Sequence, residues 1–249
     1  MAGHSKWANI KHRKAKVDAK RGKLWSKCAR AIIVAAKEGG GDPTANLSLR
    51  YAVEEAKAAN MPKDTIERAI KKGAGELGGE SYESVRYEGY GPAGVAVMVD
   101  CLTDNRNRTA GEMRLIFSKY GGNLGATGCV GYMFEAEGVI TIDESNAPGE
   151  EAMMELCLES GASDCALEDG VWTITTAPTD FLTVKEAIDA KDIKVSGAEL
   201  TQSPANSVDV TGDDVRRVLN LMEALEDNDD VQKVYANFDI SEEDLAKVG

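Results

Sequence analysis

Histidine is almost missing from this chain of 249 residues, with His4 and His12 the only two. The five cysteines, Cys28, Cys101, Cys129, Cys157 and Cys165, are odd in number, widely spaced and without a CxxC pair. A zinc site needs more ligands close together than this, so no metal is expected. The cysteine pattern fits reduced, structural thiols of a cytoplasmic protein. Long apolar runs are also lacking. The longest near the N-terminus, 31–36, is too short for a signal-peptide core or a membrane span. Serine is scarce in the basic N-terminal stretch, which argues against a transit peptide. Nucleophile elbows, HExxH and SxxK constellations do not occur. Neither catalysis nor a cofactor nor a small-molecule substrate is therefore expected. The carboxylates are spread over faces that read as exposed, the usual signature of a solvated surface.

What the sequence does hold is a charge asymmetry. The first thirty residues carry ten Lys or Arg against Asp18 alone, net +9, which leaves −22 for the other 219 in a chain of net charge −13. About a third of the 29 basic residues thus sit in the first eighth of the chain. Clustering like charge costs self-repulsion and is usually met in segments that pair with an external polyanion. Trp7 and Trp25 interleave with the cations, and a base or ribose can stack on an indole while Lys and Arg hold phosphates. Histidine beside lysine and arginine adds donors toward phosphate. The candidate contacts are Lys6, Trp7, Lys11, His12, Arg13, Lys14, Lys16, Lys20, Arg21, Lys23, Lys27 and Arg30. Lysine dominates, and no helix spaces Asn, Gln or Arg to read base edges. Backbone binding is expected, not sequence-specific readout.

With 43% hydrophobic and 29% charged residues the chain reads as globular, with room for one large or two to three small domains. Residues 1–75 read as helical. Leu24, Cys28, Ile32 and Ala35 make one apolar stripe, and Gly39-Gly40-Gly41 stops it. Asp42-Pro43 looks like a cap and first turn for a second helix, with Leu49, Ala52, Val53 and Ala56 inward. A third carries Ile66, Ala69 and Ile70 and stops at Gly73. Residues 1–20 have almost no apolar stripe and are expected to be poorly ordered without a partner. Past a glycine-rich joint the pattern becomes α/β. Strands are expected at 85–88, 94–103 and 130–135, with a helix capped by Asp104 and running to about Tyr120. The order strand 139–142, helix 150–160, strand 165–168, strand 171–176, helix 180–190, strand 193–200 is ferredoxin-like β-α-β-β-α-β. A last helix with Val215, Val218, Leu219, Met222 and Leu225 inward and a strand 231–238 have too few partners for a core of their own. They are expected to pack on 80–135. The expected fold class is α+β multidomain: a basic helical bundle at 1–78, a middle α/β domain of 79–135 plus 205–249, and a ferredoxin-like domain, 136–204, inserted in the middle one.

Three further motifs stand out. Gly121-Gly122-Asn123-Leu124-Gly125-Ala126-Thr127-Gly128 superficially resembles a phosphate cradle. It follows a helix and precedes a strand, the reverse of the order that aims helix N–H groups at phosphate, so a tight connection is expected. Gly89, Gly91 and Gly94 around Pro92 read as a hairpin turn. In Thr103-Asp104-Asn105-Arg106-Asn107-Arg108-Thr109 two arginines fall in a first helical turn, where cations oppose the macrodipole. Pairing with nearby acids is one explanation. A second anion contact is the other, since an arginine fork fits phosphate.

The runs GHSKWANIKHRKAKVDAKRGKLWSK, GGGDPTANLSLRYAVEEAKAANMPKDTIERAIKKG, YEGYGPAGVAVMVDCLTDNRNRTAGEMRLIFSKYGGNLG and VGYMF resemble the YebC/PmpR family. The match is dense over residues 2–135 and loose beyond. It implies three domains and a non-enzymatic role in gene expression, either as a DNA-binding transcriptional regulator or as a ribosome-associated translation factor. Relatives of the second kind include the mitochondrial translational activator of cytochrome c oxidase subunit I, and ease synthesis of proline-rich stretches. By motif the resemblance adds Asn105, Arg106 and Arg108 to the nucleic-acid contacts. Cys129 stands where the family pattern suggests serine. The partner is expected to be duplex DNA or ribosomal RNA, with no membrane. No heptad run is visible, so a monomer is the default.

Overall fold

Helix α1 (Ala19–Gly39) buries Cys28, Ile32, Ala35 and Ala36 and leaves Leu24 exposed, so the apolar stripe begins one turn later than its first residue. The computed structural model describes residues 19–78 and 81–246, and the side chains of 19–21 and 242 lie outside that description. The expectation of disorder at 1–20 falls on residues that are not described, except for Ala19 and Lys20 at the start of α1. Against α1 pack α2 (Leu47–Ala58), through Leu49, Val53 and Ala56, and α3 (Lys63–Gly73), through Ile66 and Ala69. Burying one such aliphatic side chain is worth about 1.5–3 kcal/mol.

Asp42 does not cap α2. Its carboxylate takes up the Thr44 amide and hydroxyl in a turn, and the cap is Asn46, four residues on. Asn46 accepts from the Leu49 amide at 3.1 Å and donates to the carbonyls of Ala35 and Gly40, both at 2.8 Å. One buried amide therefore starts α2 and closes the end of α1. Gly73 does more than stop α3: a Cβ there would sit 2.4 Å from the Ile33 carbonyl oxygen, so its hydrogen lets α3 lie close on α1.

The chain divides into two compact units, Phe134–Ala205 and the residues on either side of it. Besides the three helices, the flanking unit holds a sheet of order β3-β1-β2-β9, with β1 Glu83–Tyr90, β2 Ala96–Thr103, β3 Asn123–Leu124 and β9 Val231–Ala236. β1 and β2 form an antiparallel hairpin around Pro92, and β9 from the far end of the chain pairs antiparallel with β2. Central β2 is apolar along nearly its whole length because both its faces are covered. Helix α4 (Arg106–Lys119) packs Met113 and Phe117, and α7 (Asp213–Glu226) packs Val215, Val218, Leu221, Met222 and Leu225, on Val97, Val99 and Cys101. The cap of α4 is Asn105, not Asp104, because Asn105 Oδ1 accepts from the Arg108 amide at 3.1 Å. A short parallel pair, β8 (Val208–Asp209) and β10 (Phe238–Asp239), and helix α8 (Glu242–Ala246) also belong to this unit.

The Phe134–Ala205 unit runs β4 (Phe134–Asp143), α5 (Glu150–Ser160), β5 (Asp164–Glu168), β6 (Val171–Thr176), α6 (Phe181–Asp189) and β7 (Gly197–Pro204). Its sheet order is β5-β6-β4-β7 with every neighbouring pair antiparallel. The separate strands expected at 130–135 and 139–142 are instead a short turn at Gly131–Met133 and one continuous β4, held because Phe134 to Thr141 pair along β7 without a break. The last strand begins at Gly197, four residues later than expected. Pro204 needs no N–H at that terminal position.

Candidate nucleic-acid interface

Three elements of the flanking unit converge: α1, the start of α4, and the turn between α7 and β9. Lys23, Lys27 and Arg30 recur at i, i+4 and i+7, so they share one face of α1. Lys23 and Lys27 reach the C-terminal end of α7, where the last carbonyls carry partial negative charge and favour cations, and Arg30 reaches the turn just beyond it. Lys23 Nζ donates to the Asp227 carbonyl at 3.1 Å and lies 3.8 Å from the Asp229 carboxylate. Lys27 Nζ donates to the Glu226 carbonyl at 2.8 Å. Arg30 donates to the Asp229 carbonyl and, at 3.2 Å, to Asp230 Oδ1, and lies over the Tyr82 ring.

Asp230 is the hub of this junction and is only 5% exposed. Its Oδ2 accepts from Arg108 at 2.6 Å, the Thr109 hydroxyl at 2.8 Å and the Thr103 hydroxyl at 3.1 Å. Burial pushes the Asp230 carboxyl up. The hydrogen bonds from Arg108, Thr109 and Thr103, with the guanidinium charge, outweigh that and hold it below the ordinary carboxylate range. The same bond to Asp230, followed by one to Asp104 at 2.9 Å, raises the Arg108 pKa. Of the two explanations for arginines in this first turn, acid pairing is therefore seen directly for Arg108.

The other expected contacts divide as follows. Asn105 has its side-chain oxygen engaged as the α4 cap. Arg106 is largely exposed, 3.7 Å from Glu83, and its carbonyl accepts from the Tyr87 hydroxyl. Trp25 donates its indole N–H to the Ala59 carbonyl at 3.0 Å and packs on the helical core, so its ring belongs to the bundle. Lys6, Trp7, Lys11, His12, Arg13, Lys14 and Lys16 lie outside the described residues, as do the side chains of Lys20 and Arg21.

A cleft of about 640 Å³ lies between α1 and the sheet. Its charged walls are paired: Arg86 grips Asp100 through two bonds of 2.6 and 2.9 Å, and Lys233 meets Glu55 at 3.0 Å. Among the described residues two buried acids escaped the reading of carboxylates as solvated surface. Asp230 is one and Glu88 the other, at 4% exposure. The glycine stretch that superficially resembled a phosphate cradle leads into a turn around Glu88, whose oxygens accept from the amides of Gly128, Val130 and Gly131 at 2.8, 2.8 and 2.6 Å. The backbone donors there thus hold an anion, and it is the protein's own. Among the described residues no three His, Cys, Asp or Glu side chains gather as a metal site, and no helix is long and apolar enough to cross a membrane.

Residues 5–76 match the family model described as "TACO1/YebC protein N-terminal domain", and residues 82–238 match "TACO1/YebC second and third domain". A protein of Natranaerobius thermophilus is 57% identical over 97% of this chain and 98% of its own length. One of Persephonella marina is 53% identical over the whole of both. Both are named "Probable transcriptional regulatory protein". The crystal structure of a conserved hypothetical protein from Aquifex aeolicus, 51% identical, covers 95% of this chain and 97% of its own with a TM-score of 0.83. On the strength of those two family matches, which together span most of its length, the chain belongs to the TACO1/YebC family.

Proposed function

We propose that this chain is a non-enzymatic, cytoplasmic regulator of gene expression that binds nucleic acid by its phosphate backbone through the basic N-terminal segment. The observation that carries this is the net +9 of the first thirty residues against −22 in the rest. Lys6, Lys11, Arg13, Lys14, Lys16, Lys20 and Arg21, with Trp7 and His12, make the contacts. Lys23, Lys27 and Arg30 fix α1 on the α7–β9 turn and so aim the segment, while Arg108 holds the same turn to α4 through Asp230. They meet phosphate themselves only by exchanging the bonds they already make. The names of the relatives favour a role in transcription, for which duplex DNA would be the partner. In domain terms we read a helical domain over 1–78, a middle domain of 79–135 with 205–249, and a ferredoxin-like insertion over 136–204. The strand order β5-β6-β4-β7 supports the last.

The test is binding of a labelled DNA duplex across a potassium chloride series. Seven cations on phosphates give a slope of log affinity against log salt of about −6. Charge reversal at Lys11, Arg13 and Lys14 abolishes binding at moderate salt with the fold intact. A slope shallower than about −2, or unchanged affinity in that variant, overturns the reading.

One observation favours ribosomal RNA over DNA. Helix α4 holds the polar first turn best suited to base reading, and Asn105 and Arg108 there are committed to the cap and to Asp230. Binding without base readout suits a structured RNA, recognised by shape and backbone, better than a promoter, which is picked out by base contacts. Sedimentation from DNase-treated lysate separates the two: co-migration with ribosomes, lost on deleting residues 2–22, selects the translation factor.

A further inference from the structure

The Phe134–Ala205 unit brings together two of the five cysteines. Cys157 lies in the last turns of α5, and Cys165 near the start of β5. Between them Gly161 adopts φ +87°, and the Ala162 amide returns to the Cys157 carbonyl at 3.0 Å, so the chain reverses tightly. That reversal places Cys157 Sγ 3.0 Å from Cys165 Sγ. A disulfide needs about 2.05 Å, so the sulfurs are about 1 Å from bonding. The two differ in access. Cys157 is 4% exposed, whereas Cys165 is half-buried on β5, one of the two edge strands of the sheet.

We propose that Cys157 and Cys165 are a thiol pair that closes to an intramolecular disulfide by exchange with a low-molecular-weight disulfide. The accessible Cys165, as thiolate, attacks one sulfur of R–S–S–R. The R–S–S–R bond breaks, a Cys165–S–S–R bond forms, and RS⁻ leaves and takes up the proton that Cys165 gave to solvent. Cys157 then loses its proton and attacks Cys165 Sγ, breaking that mixed disulfide and expelling the second RS⁻, which is protonated in turn. Two protein thiols are oxidised and one small disulfide is reduced to two thiols. The product staples α5 to the sheet edge.

The order of events follows from the surroundings of each thiol. Burial pushes both up, Cys157 to about 12, and the hydrogen bond from Cys157 partly counters this at Cys165. The exposed partner is thus the better entry point. The pair reacts slowly at neutral pH and faster as pH rises, since only the thiolate attacks. Cys28 and Cys101 are more enclosed than Cys165, at 5% and 0% exposure, with burial pushing them up to about 11 and about 12.

The test uses the full-length native protein and oxidised glutathione as the disulfide. After incubation at pH 8, free thiols are alkylated, and intact mass and Glu-C digestion are read. Cleavage after Glu159 separates the two cysteines onto different peptides. The expected result is loss of two alkylatable thiols of the five, with the 157 and 165 peptides joined. Cys157→Ser traps a glutathione adduct on Cys165, because no second thiol resolves it. Cys165→Ser leaves Cys157 largely unreacted. Retention of all five thiols, a disulfide joining any other pair, or a wild-type adduct on Cys165 that persists would overturn the proposal.

Discussion

Replacing Asp230 by alanine is the sharpest perturbation of the junction between α1, α4 and the α7–β9 turn. The side chain supplies two bonds to arginines, at 2.6 and 3.2 Å, and two to the hydroxyls of Thr109 and Thr103. Hydrogen bonds to charged groups are worth about 1.5–3 kcal/mol each, but Arg108 is 43% exposed along its side chain and water recovers much of its loss. Thr109 keeps its bonds to Thr103 and to the Asn105 carbonyl, so neither hydroxyl is stranded. The net expectation is a loss of about 2–4 kcal/mol, toward the lower end of what removing one partner of a buried pair costs. That is a large share of a typical domain stability of about 5–15 kcal/mol. Urea unfolding at pH 7 measures it as a drop in midpoint at unchanged slope. The pH dependence gives a second reading. The folded Asp230 pKa lies below its ordinary value. Its contribution is therefore full above the unfolded value of about 3.9 and is lost as pH falls through the lower folded value. The difference between wild type and Asp230→Ala should be constant from pH 7 to 5 and shrink below about 4. A loss under about 0.5 kcal/mol, the range of ordinary surface changes, would refute the hub.

Three further outcomes follow from particular contacts. Asn46→Ala removes a cap and the donors to Ala35 and Gly40, and costs about 2 kcal/mol in urea unfolding, with faster amide exchange at Leu49. Gly73→Ala forces a methyl against the Ile33 carbonyl and lowers stability by about 1–3 kcal/mol, whereas Gly40→Ala is strained by its φ of +89° yet meets no atom. Burial pushes Glu88 up, but the amides of Val130, Gly128 and Gly131 prevail and hold it below its ordinary value. Its contribution is complete at neutral pH and lost below about pH 4, and Glu88→Gln, which turns an NH₂ toward backbone donors, removes about 1–3 kcal/mol at pH 7.

Much of the secondary structure was legible because it follows local periodicity. The inward set expected for α7 differs from the observed one only in Leu219, which is partly buried while Leu221 takes the core position. Boundaries failed where tertiary pairing decided them. β4 extends back to Phe134 because β7 offers it partners as far as Pro204, a long-range match that no local window contains. Caps failed by small offsets, since Asp42 and Asp104 are as good at capping as the Asn46 and Asn105 that do it. The candidate site was legible as charge but not as geometry. Glu226-Asp227-Asn228-Asp229-Asp230 is an acidic run like others in this sequence, and only the fold reveals that one of its carboxylates is buried against Thr103 and Thr109.

The junction at Asp230 is also asymmetric, and that bears on what a polyanion can displace. On the α4 side Arg108 lies 2.6 Å from Oδ2, which the two core hydroxyls share, so that half is built into the middle sheet. On the α1 side Arg30 reaches Oδ1 at 3.2 Å, while Lys23 and Lys27 rely on carbonyls at the end of α7. Phosphates that drew those three cations away would leave Asp230 ionised and still held by Arg108. The α7–β9 turn would keep its conformation, and the cost would be confined to contacts of α1. Exchange of ion partners in this way yields less net energy than meeting unpaired cations, because each phosphate bond replaces one already made. The steepest salt dependence therefore belongs to the cations that precede Lys23, and substitutions at Lys23, Lys27 and Arg30 should change stability more than the slope of binding against salt.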